Sequence, residues 1–478
     1  MKTLAITNLI HGAMTVLPAA AFLTASAAGA AETAPPASVR DLGAVGDGQA
    51  DDTQAIQRAA DRGGELRFAR GVYRLTRTVL IDLDKVGVTS IVADGTATIL
   101  MAGPGPALKF VGTHAGTADP KSVKDNVWQR QRTPLIDGLE IVGAHPEAIG
   151  LWIEGCMQPV ITRCTVRQAL HGIHLTGRNR NVIIGECHLY HNTGAGLLLE
   201  RLDLHQINVS NCHISYNAAG GIVVRASSIR NLQIGTCDIE ANMAAEGPPA
   251  ANLLFDTTEG SIREGAIIGC TLQHTHKAPD SANIRFLGRP DPPHKVGFFQ
   301  IADNTLSDVA VNIELRHARG VTISGNTFGQ GSVHNLLAEN CSQLVLSGNL
   351  LDRNPDYGPQ TTGDDLCFVD CRDCTLSGLQ IFATAHPEGA LILKNCRRFN
   401  ITGCTILDCN ACGILLDQVQ SVRIADCLVR DDRPESKEAI SLKLVAGQDN
   451  MIVNNLFSGR VEIAPHSGRV DGNSNGRP

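Results

Sequence analysis

Four charged residues in the middle of the chain could carry out acid–base chemistry together. Glu200, Arg225, Asp256 and Arg285 recur at intervals of 25 to 31 residues. If each interval is one turn of a repeating fold, the side chains occupy successive rungs, and the two carboxylates lie ~9.6 Å apart at the spacing of β-strands. An inverting glycosidase leaves a gap of up to about 9.5 Å for the attacking water, and an intervening arginine could grip a uronate or sulfate. We therefore expect Glu200 and Asp256 as an acid/base pair, with Arg225 and Arg285 as anion-binding residues.

Histidines and tyrosines cluster just before and within this stretch. They are His171, His174, His188, Tyr190, His191, His205, His213 and Tyr216. A polysaccharide lyase needs a base near a uronate α-proton, and histidine and tyrosine can both serve. We expect His174 or His191 as an alternative catalytic base, with Tyr216 and Glu154 as substrate-binding residues. The competing interpretation is a solvated sheet face crossed by ion pairs, each of which contributes little to stability.

The elements that position these residues are visible as a ladder of small residues in a recurring phrase such as ITRCTV, ISGNTF and ITGCTI. The ladder runs through Cys164, Cys187, Cys212, Cys237, Cys270, Asn304, Asn326, Asn349, Cys404, Cys427 and Asn455, with Leu139 and Leu379 in the same slot. A period of 20 to 50 residues, with short apolar runs and no helical pattern between them, is typical of a β-solenoid. The fold class is therefore all-β, a single domain of stacked parallel coils.

The fifteen cysteines are an odd number, so they cannot all pair within one chain. Cys156, Cys341, Cys371 and Cys396 form a second row, each eight residues before a ladder position. Stacked small side chains fit the interior of a solenoid, so we expect most thiols to be buried, reduced and structural. The strings Cys367-x3-Cys371-x2-Cys374 and Cys409-x2-Cys412 resemble iron–sulfur and redox motifs. Both lie within the solenoid repeats, which favours core packing over a metal site.

The N-terminus is typical of an exported protein. Lys2 precedes an apolar stretch, and Ala28-Gly29-Ala30 is a small-x-small cleavage site. We expect a signal peptide at 1–30, a linker at 31–37 and a secreted or periplasmic location. No other stretch is long and apolar enough to span a bilayer.

Residues 38–133 should form an N-terminal cap and the first coils. Asp51, Asp52 and Thr53 precede a short amphipathic helix and are natural N-caps. The stretch DLGAVGDGQADDTQAIQ resembles the N-terminal segment of the pectate-lyase superfamily, with Leu42 in place of the usual Phe. This resemblance is specific over about twenty residues. It implies a right-handed parallel β-helix, of about 12–13 coils, whose substrate lies along the outer face of the first strand of each coil.

Members of that superfamily include polysaccharide lyases, polygalacturonase-like hydrolases, uronan epimerases and phage tailspikes, so the resemblance predicts architecture better than reaction. Gly363-Asp364-Asp365 looks like the paired aspartates of polygalacturonases, but the neighbouring family elements are missing. The string from Asp291 to His294 only faintly resembles an epimerase element. Neither activity is carried over.

The composition of the chain limits the classes of binding partner that we expect. The net charge is −7 and no basic stripe is present, which makes nucleic acid a poor partner. We expect repeats over 134–465 and a disordered tail at 466–478. The predicted function is an exported lyase or hydrolase acting on an acidic polysaccharide, with calcium as a possible cofactor of a lyase, in a monomer or homotrimer. Aromatic residues make up only 4% of the chain. Sugar subsites usually stack on such rings, so a non-catalytic glycan-binding or surface-structural protein is the alternative.

Overall fold

The structure is a computed structural model that describes residues 37–475, except 276, 353, 355, 357–361 and 435–438. The predicted signal peptide, residues 31–36 of the linker and residues 476–478 lie outside the described part. Within the described part, no helix is both long and apolar enough to cross a membrane.

Each coil has three strands, and every strand pairs in parallel with the equivalent strand one coil away. The first strands stack in one row: Val79–Asp82, Gly105–Val111, Ala148–Glu154, the start of His171–Gly185, the start of Leu197–Ser210, Ile222–Arg225, Ala251–Asp256, Ala282–Leu287, Val309–Arg316, Gly331–Glu339, Leu366–Val369, Leu391–Lys394, Cys412–Asp417, Ile440–Leu444 and Arg460–Ile463. The predicted inward residues on these strands, such as Leu151, Val224 and Phe286, are fully buried, as the two-residue alternation of a strand requires.

The second and third strands close each coil. The second strands are Ala37–Ser38, Gly64–Phe68, Thr89–Ala93, Leu135–Asp137, Val160–Thr162, the ends of His171–Gly185 and Leu197–Ser210, Ser228–Gly235, Ser261–Ile268, Val296–Ala302, Arg319–Ser324, Ser342–Ser347, Arg372–Ser377, Arg397–Thr402, Val419–Ala425, Gly447–Gln448, Asn450–Val453 and Gly468–Asp471. The third strands are Asp47–Asp51, Gly71–Leu75, Ala97–Met101, Glu140–Gly143, Thr165–Arg167, His188–Tyr190, His213–Ser215, Asp238–Glu240, Thr271–Gln273, Thr305–Leu306, Thr327–Phe328, Leu350–Leu351, Gln380–Phe382, Thr405–Leu407, Leu428–Arg430, Leu456–Phe457 and Ser474–Asn475.

The solenoid is longer than predicted at both ends. The described residues contain fifteen first strands, against the 12–13 coils expected, because the coils before residue 134 lack the recurring phrase. The disorder predicted for 466–478 is wrong for the described part of that segment. Gly468–Asp471 pairs with Asn450–Val453, and Asn473 extends the ladder by accepting a hydrogen bond from the Asn455 backbone N–H at 2.9 Å.

A helix, Thr53–Ala60, covers the N-terminal end, as predicted. Asp52 occupies the position before it, but its carboxylate accepts hydrogen bonds from the backbone N–H groups of Val45 (2.6 Å) and Gly46 (3.0 Å) rather than capping the helix. Asp51 instead accepts from the N–H of Thr53 at 3.1 Å. Asp52 therefore holds the glycine-rich loop, and Asp51 stabilises the start of the helix. Short helices also occur at Leu83–Val86 and Asp125–Arg130, with 3₁₀ turns at Val39–Leu42 and Pro120–Ser122.

The predicted ladder lines the bend between the second and third strands. The backbone N–H of Cys270 donates to Asn304 Oδ1 at 2.9 Å, and the side-chain amide of Asn304 donates to Asn326 Oδ1 at 2.9 Å. Asn326 donates to Asn349 in the same way at 3.0 Å. All fifteen cysteines are free and buried. The burial and packing roles predicted for them are confirmed.

The cysteines in the strings that resemble redox motifs are all buried, although Cys367 pairs with Leu337 at an outward-facing position of its strand. Burial raises the pKa of the Cys374 thiol to about 12 and that of Cys412 to about 11. Both are therefore uncharged at neutral pH, whereas metal binding and redox exchange use the thiolate.

A second ladder of buried asparagines runs where the third strand passes into the first. Each side-chain amide donates to the next Oδ1 at 2.6–2.9 Å along Asn192, Asn217, Asn242, Asn252, Asn283, Asn312 and Asn335. These hydrogen bonds satisfy polar groups that would otherwise be unpaired in the interior. The ladder fixes the return turns and therefore the start of each first strand.

Asn217→Ala should lower the free energy of unfolding by about 1–3 kcal/mol, because it leaves buried partners on both sides unsatisfied. Asn217 donates to the Leu189 carbonyl (2.9 Å) and accepts from Asn192 Nδ2 (2.8 Å). Urea unfolding followed by circular dichroism measures the change. Asn208→Ala, at an exposed position of the strand Leu197–Ser210, is the matched control and should stay within about 0.5 kcal/mol of the parent. Equal effects of the two substitutions would contradict the role of the ladder.

Candidate functional site

The outer face of the first strands carries two rows of side chains, because each strand presents alternate residues outward. We call the row near the strand ends the end row; it includes Glu200, Arg225, Asp256, Leu287, Arg316 and Glu339. We call the row two residues earlier the middle row; it includes Lys109, Trp152, His174, Leu198, Val223, Leu254, Arg285 and Glu314. Glu154 lies beyond Trp152 on its strand and therefore belongs with the end row.

The predicted alignment of Arg285 with Asp256 is wrong. Asp256 pairs with Leu287, whereas Arg285 pairs with Leu254 in the middle row. Arg285 and Leu287 both face outward, so strand alternation fits either residue equally well. The backbone pairing decides between them, and the length of the preceding return turn sets that pairing.

Glu200 is the centre of the candidate site. Arg225 Nε donates to Glu200 Oε1 at 2.6 Å, and His174 Nε2 lies 3.9 Å from Glu200 Oε2. The Arg225 side chain is 51% exposed and that of Glu200 26% exposed. The structure therefore brings together three of the predicted residues: an ionised carboxylate, an accessible guanidinium and an imidazole.

His174 is buried beneath this ion pair. Its ring packs against Trp152 with centroids 4.2 Å apart and the planes tilted by 50°, and the Lys109 ammonium lies 5.1 Å from the centroid of the Trp152 ring. Neither ring nitrogen of His174 has a hydrogen-bond partner. Burial lowers the pKa of His174 against the opposing effect of Glu200. His174 is therefore a neutral imidazole at pH 7, with a nitrogen lone pair that no other group uses.

The sequence analysis missed Lys109 and Trp152. They lie 65 and 22 residues before His174, and only the register of two successive strand pairs brings them together. The sequence offered one sign of this contact, the rarity of tryptophan, because Trp152 is one of only two tryptophans in the chain.

Asp256 and Glu154 are held by neighbouring groups. Asp256 Oδ1 accepts hydrogen bonds from the backbone N–H (3.0 Å) and the hydroxyl (2.6 Å) of Thr258. Glu154 Oε2 lies 2.9 Å from Lys109 Nζ. Asp256 thus shapes the turn after its strand, and Glu154 is part of a surface ion pair.

His191 and Tyr216 form a separate pair on the return turns. Their rings stack with centroids 5.2 Å apart and an interplanar angle of 19°. They follow the third strands His188–Tyr190 and His213–Ser215. Within the described residues, no hydrogen bond or ring contact joins this pair to Glu200 or His174. The predicted residues therefore do not form one cluster: Glu200, Arg225 and His174 lie together, His191 and Tyr216 form a separate pair, and Asp256 and Glu154 contact other groups.

Arg285 is buried in an ion-pair network. Its Nε contacts Glu314 Oε2, and its Nη2 donates to the carbonyl (2.8 Å) and carboxylate (3.0 Å) of Asp280. Arg316 joins Glu314 to Glu339 at 2.6 Å and 2.8 Å. The Arg285 side chain is only 8% exposed, so its guanidinium holds the return turn rather than facing a ligand.

A closed stack of parallel coils with charged rows on one outer face defines a parallel β-helix protein. The chain belongs to the right-handed β-helix family: the family described as "Right handed beta helix region" matches residues 127–260 and 294–462, more than half of the chain. The fold implied by the resemblance to the pectate-lyase superfamily is therefore confirmed.

Solved structures agree with this fold. The pre-mature gene product 12 of bacteriophage phi29 is 15% identical, with a TM-score of 0.53 over 91% of this chain and 56% of that chain. The Dettilon tailspike protein gp208 is also 15% identical, with a TM-score of 0.50 over 79% of this chain and 65% of that chain. The chain thus spans less than two thirds of the length of either phage protein, and at this identity the likeness concerns the fold alone. No curated protein matches the chain in sequence.

Proposed function

We propose that this protein is an exported polysaccharide lyase that cleaves a uronate-containing polysaccharide on the outer face of its first strands. The observation that carries the proposal is the neutral His174 beside the ion pair of Glu200 and Arg225. The fold is compatible with this activity but does not specify it, because one fold hosts many chemistries.

Elimination fits this group better than hydrolysis. A hydrolase of the inverting type needs one protonated carboxyl group to donate to the glycosidic oxygen. Glu200 is ion-paired with Arg225, and Asp256 accepts two hydrogen bonds from Thr258. Both side chains are therefore held as acceptors. A lyase needs instead a neutral base and a cation that binds the uronate carboxylate, and His174 and Arg225 supply these two groups.

In the proposed step, a substrate carboxylate takes the place of Glu200 at the exposed Arg225, and Glu200 turns away from His174. The uncovered imidazole then removes the proton from the carbon next to the uronate carboxylate. The electron pair of that C–H bond becomes a carbon–carbon double bond, and the bond to the glycosidic oxygen on the next carbon breaks. The departing oxygen takes a proton from His174 or from water, and one new unsaturated chain end remains.

A calcium ion, the cofactor considered for such a lyase, would need oxygen ligands from this face. Calcium prefers six to eight oxygen ligands, and the nearby carboxylates Glu154, Glu200 and Asp256 are each engaged by Lys109, Arg225 or Thr258. These residues do not fit a calcium site as they stand. The proposed step therefore does not pass through a metal ion.

His174→Phe should reduce the rate of elimination by about 10²–10⁴-fold, since it keeps a ring against Trp152 but removes the base. Arg225→Ala should weaken binding of the polyuronate and raise KM. The measurement is ultraviolet absorbance of the unsaturated product, together with reducing ends, for the protein incubated with polygalacturonate, alginate and glycosaminoglycans, with and without calcium. Arg423→Ala is the matched control, because Arg423 is a similarly exposed, paired arginine (44% exposed) on a second strand.

New reducing ends without ultraviolet absorbance would show that the protein cleaves its substrate by hydrolysis and not by elimination. Full lyase activity in His174→Phe would remove His174 from the mechanism.

A non-catalytic glycan-binding protein is the second candidate. It is favoured by the exposed guanidinium of Arg225, which can bind a carboxylate of the glycan, and by the burial of His174, the proposed base, beneath the ion pair. Saturable binding of a polyuronate, weakened by salt and by Arg225→Ala but without any product, would establish this candidate instead.

A further inference from the structure

The chain contains the sequence Ala-His-Pro-Glu twice, at 144–147 and 385–388. In both copies the histidine Nδ1 accepts a hydrogen bond from the backbone N–H of the glutamate, at 3.1 Å in His145 and 3.3 Å in His386. The two turns therefore have the same local structure. They differ in their surroundings, because only the second turn lies beside another histidine and a buried aspartate.

Three residues meet at the second turn. His334, Asp365 and His386 each offer one ligand atom, and these atoms all lie within 4.8 Å of one another. His334 Nδ1 is 2.9 Å and 3.0 Å from the two oxygens of Asp365, and the rings of His334 and His386 have centroids 5.3 Å apart. Asp365 is fully buried, and the His334 side chain is 15% exposed. We propose that these three side chains bind a divalent transition-metal ion such as Zn²⁺.

The backbone holds the three residues in place without the ion. Gly363 carbonyl oxygen accepts from the N–H groups of Ala385 (3.2 Å) and His386 (3.1 Å), which joins the turn of Asp365 to that of His386. The carbonyl of Asp365 accepts from Asn335 (3.0 Å) and Leu336 (3.2 Å), which joins it to the strand of His334. Three successive coils therefore each contribute one ligand, and the preorganisation reduces the conformational cost of binding.

The contact between these coils is close enough to specify the residue at 363. A Cβ atom at Gly363 would lie 2.0 Å from the Val333 carbonyl oxygen. The turn thus requires glycine, which explains the string Gly363-Asp364-Asp365 as a structural feature of this site rather than as the aspartate pair of a hydrolase.

The donor set selects the kind of ion. Two imidazoles and one carboxylate suit zinc, cobalt, nickel or iron, whereas calcium and magnesium prefer oxygen ligands. Ligand atoms bound at ~2.0–2.2 Å to one ion lie about 3–4 Å apart. His334 Nδ1 and the Asp365 oxygens are already 2.9–3.0 Å apart, and all three ligand atoms lie within 4.8 Å of one another. The ion would replace the direct contact between His334 Nδ1 and the Asp365 carboxylate. Three protein ligands leave a fourth position for water or substrate, as in catalytic zinc sites.

Titration of the full chain with Zn²⁺ by calorimetry, and with Co²⁺ by visible absorbance, tests the site. We expect one ion per chain and no competition from Ca²⁺. His386→Ala should weaken binding on the order of 100-fold, since even the loss of an outer-shell partner costs about 10–100-fold. His145→Ala, the same change in the equivalent turn, should leave the affinity unchanged. Asp365→Asn, which keeps the shape of the buried side chain, should also abolish binding.

The outcomes separate this site from its alternatives. Absence of stoichiometric binding, or equal affinity in the parent and His386→Ala, would overturn the proposal. A strong sulfur-to-cobalt absorption band would assign the ion to the cysteines and would overturn it as well. Because His386 lies on a surface turn, thermal unfolding of His386→Ala without metal should match that of His145→Ala, and only the latter should gain stability on addition of Zn²⁺. The result is independent of whether His174 is a catalytic base.

Discussion

Glu314→Ala is expected to lower the free energy of unfolding by about 3–5 kcal/mol, the cost of breaking a buried ion pair by removing one partner. The side chains of Glu314 and Arg285 are 4% and 8% exposed. The substitution leaves the Arg285 guanidinium with Asp280, which is itself 63% exposed, as its remaining carboxylate partner. The midpoint of urea unfolding should fall. The slope of the free energy of unfolding against urea concentration should stay the same if the native state keeps its compactness.

The double variant Arg285→Met/Glu314→Leu is the decisive control. Replacing both charges by apolar side chains removes the desolvation cost together with the attraction, so the double variant should be close to the parent in stability. Glu339→Ala, which removes the 30%-exposed partner of Arg316, should cost no more than about 1 kcal/mol. A double variant as unstable as Glu314→Ala would show that the loss is one of packing, and the assignment of a buried ion pair as the source of the effect would fail.

The same pair shows how far the sequence could predict the candidate site. Alternation along each strand correctly separated inward residues such as Phe255 from outward ones such as Arg225, because the period of two is a property of the backbone. It could not show that Arg285 pairs with Leu254 rather than with Asp256. That register depends on the return turn before the strand, at residues 274–281, and the length of the return turn differs from coil to coil. The assignment of inward and outward positions along each strand was therefore confirmed, and the alignment predicted across a long turn was wrong.

Of the two ladders, the first could be predicted from the sequence and the second could not. Cys164 and Asn304 recur in one short phrase after a β-run, so their common position was visible at once. The ladder through Asn242 and Asn252 was missed because its spacing is irregular. These two residues are only ten apart, and Asn242 lies in a return turn, where asparagine is common for local reasons, whereas Asn252 lies in the strand Ala251–Asp256. The His334, Asp365 and His386 cluster was missed for a related reason: the three residues come from a strand and two turns on successive coils, at unequal spacings in the sequence.

Acidification from pH 6.5 to 4 is expected to destabilise the protein through the buried His114 and the partly buried His171. Burial, reinforced by Arg178 and Arg180, lowers the pKa of His114 to about 4, and burial together with His174 and Arg225 lowers that of His171 to about 4. An unfolded histidine titrates near pH 6.5. Between these values the unfolded chain binds more protons than the folded chain, so the free energy of unfolding falls as the pH falls. The contribution is complete above about pH 6.5 and is lost by about pH 4, at about 2 kcal/mol for each histidine after allowance for solvent screening.

The double variant His114→Phe/His171→Asn isolates this effect. Phenylalanine fills the space of an imidazole whose two nitrogens have no hydrogen-bond partner, and asparagine can keep an acceptor for the Ala195 N–H, which now donates to His171 Nδ1 at 3.1 Å. Urea unfolding at several values between pH 4 and 7 should give a flatter profile for the variant than for the parent, whatever its stability at pH 7. Carboxylates do not produce this difference, because those with a lowered pKa, such as Asp51 and Asp82, lose their contribution below about pH 4. Parallel pH profiles of the parent and the variant would mean that His114 and His171 become protonated in the folded protein, because the coils around them open at mild acidity and let water reach the two rings.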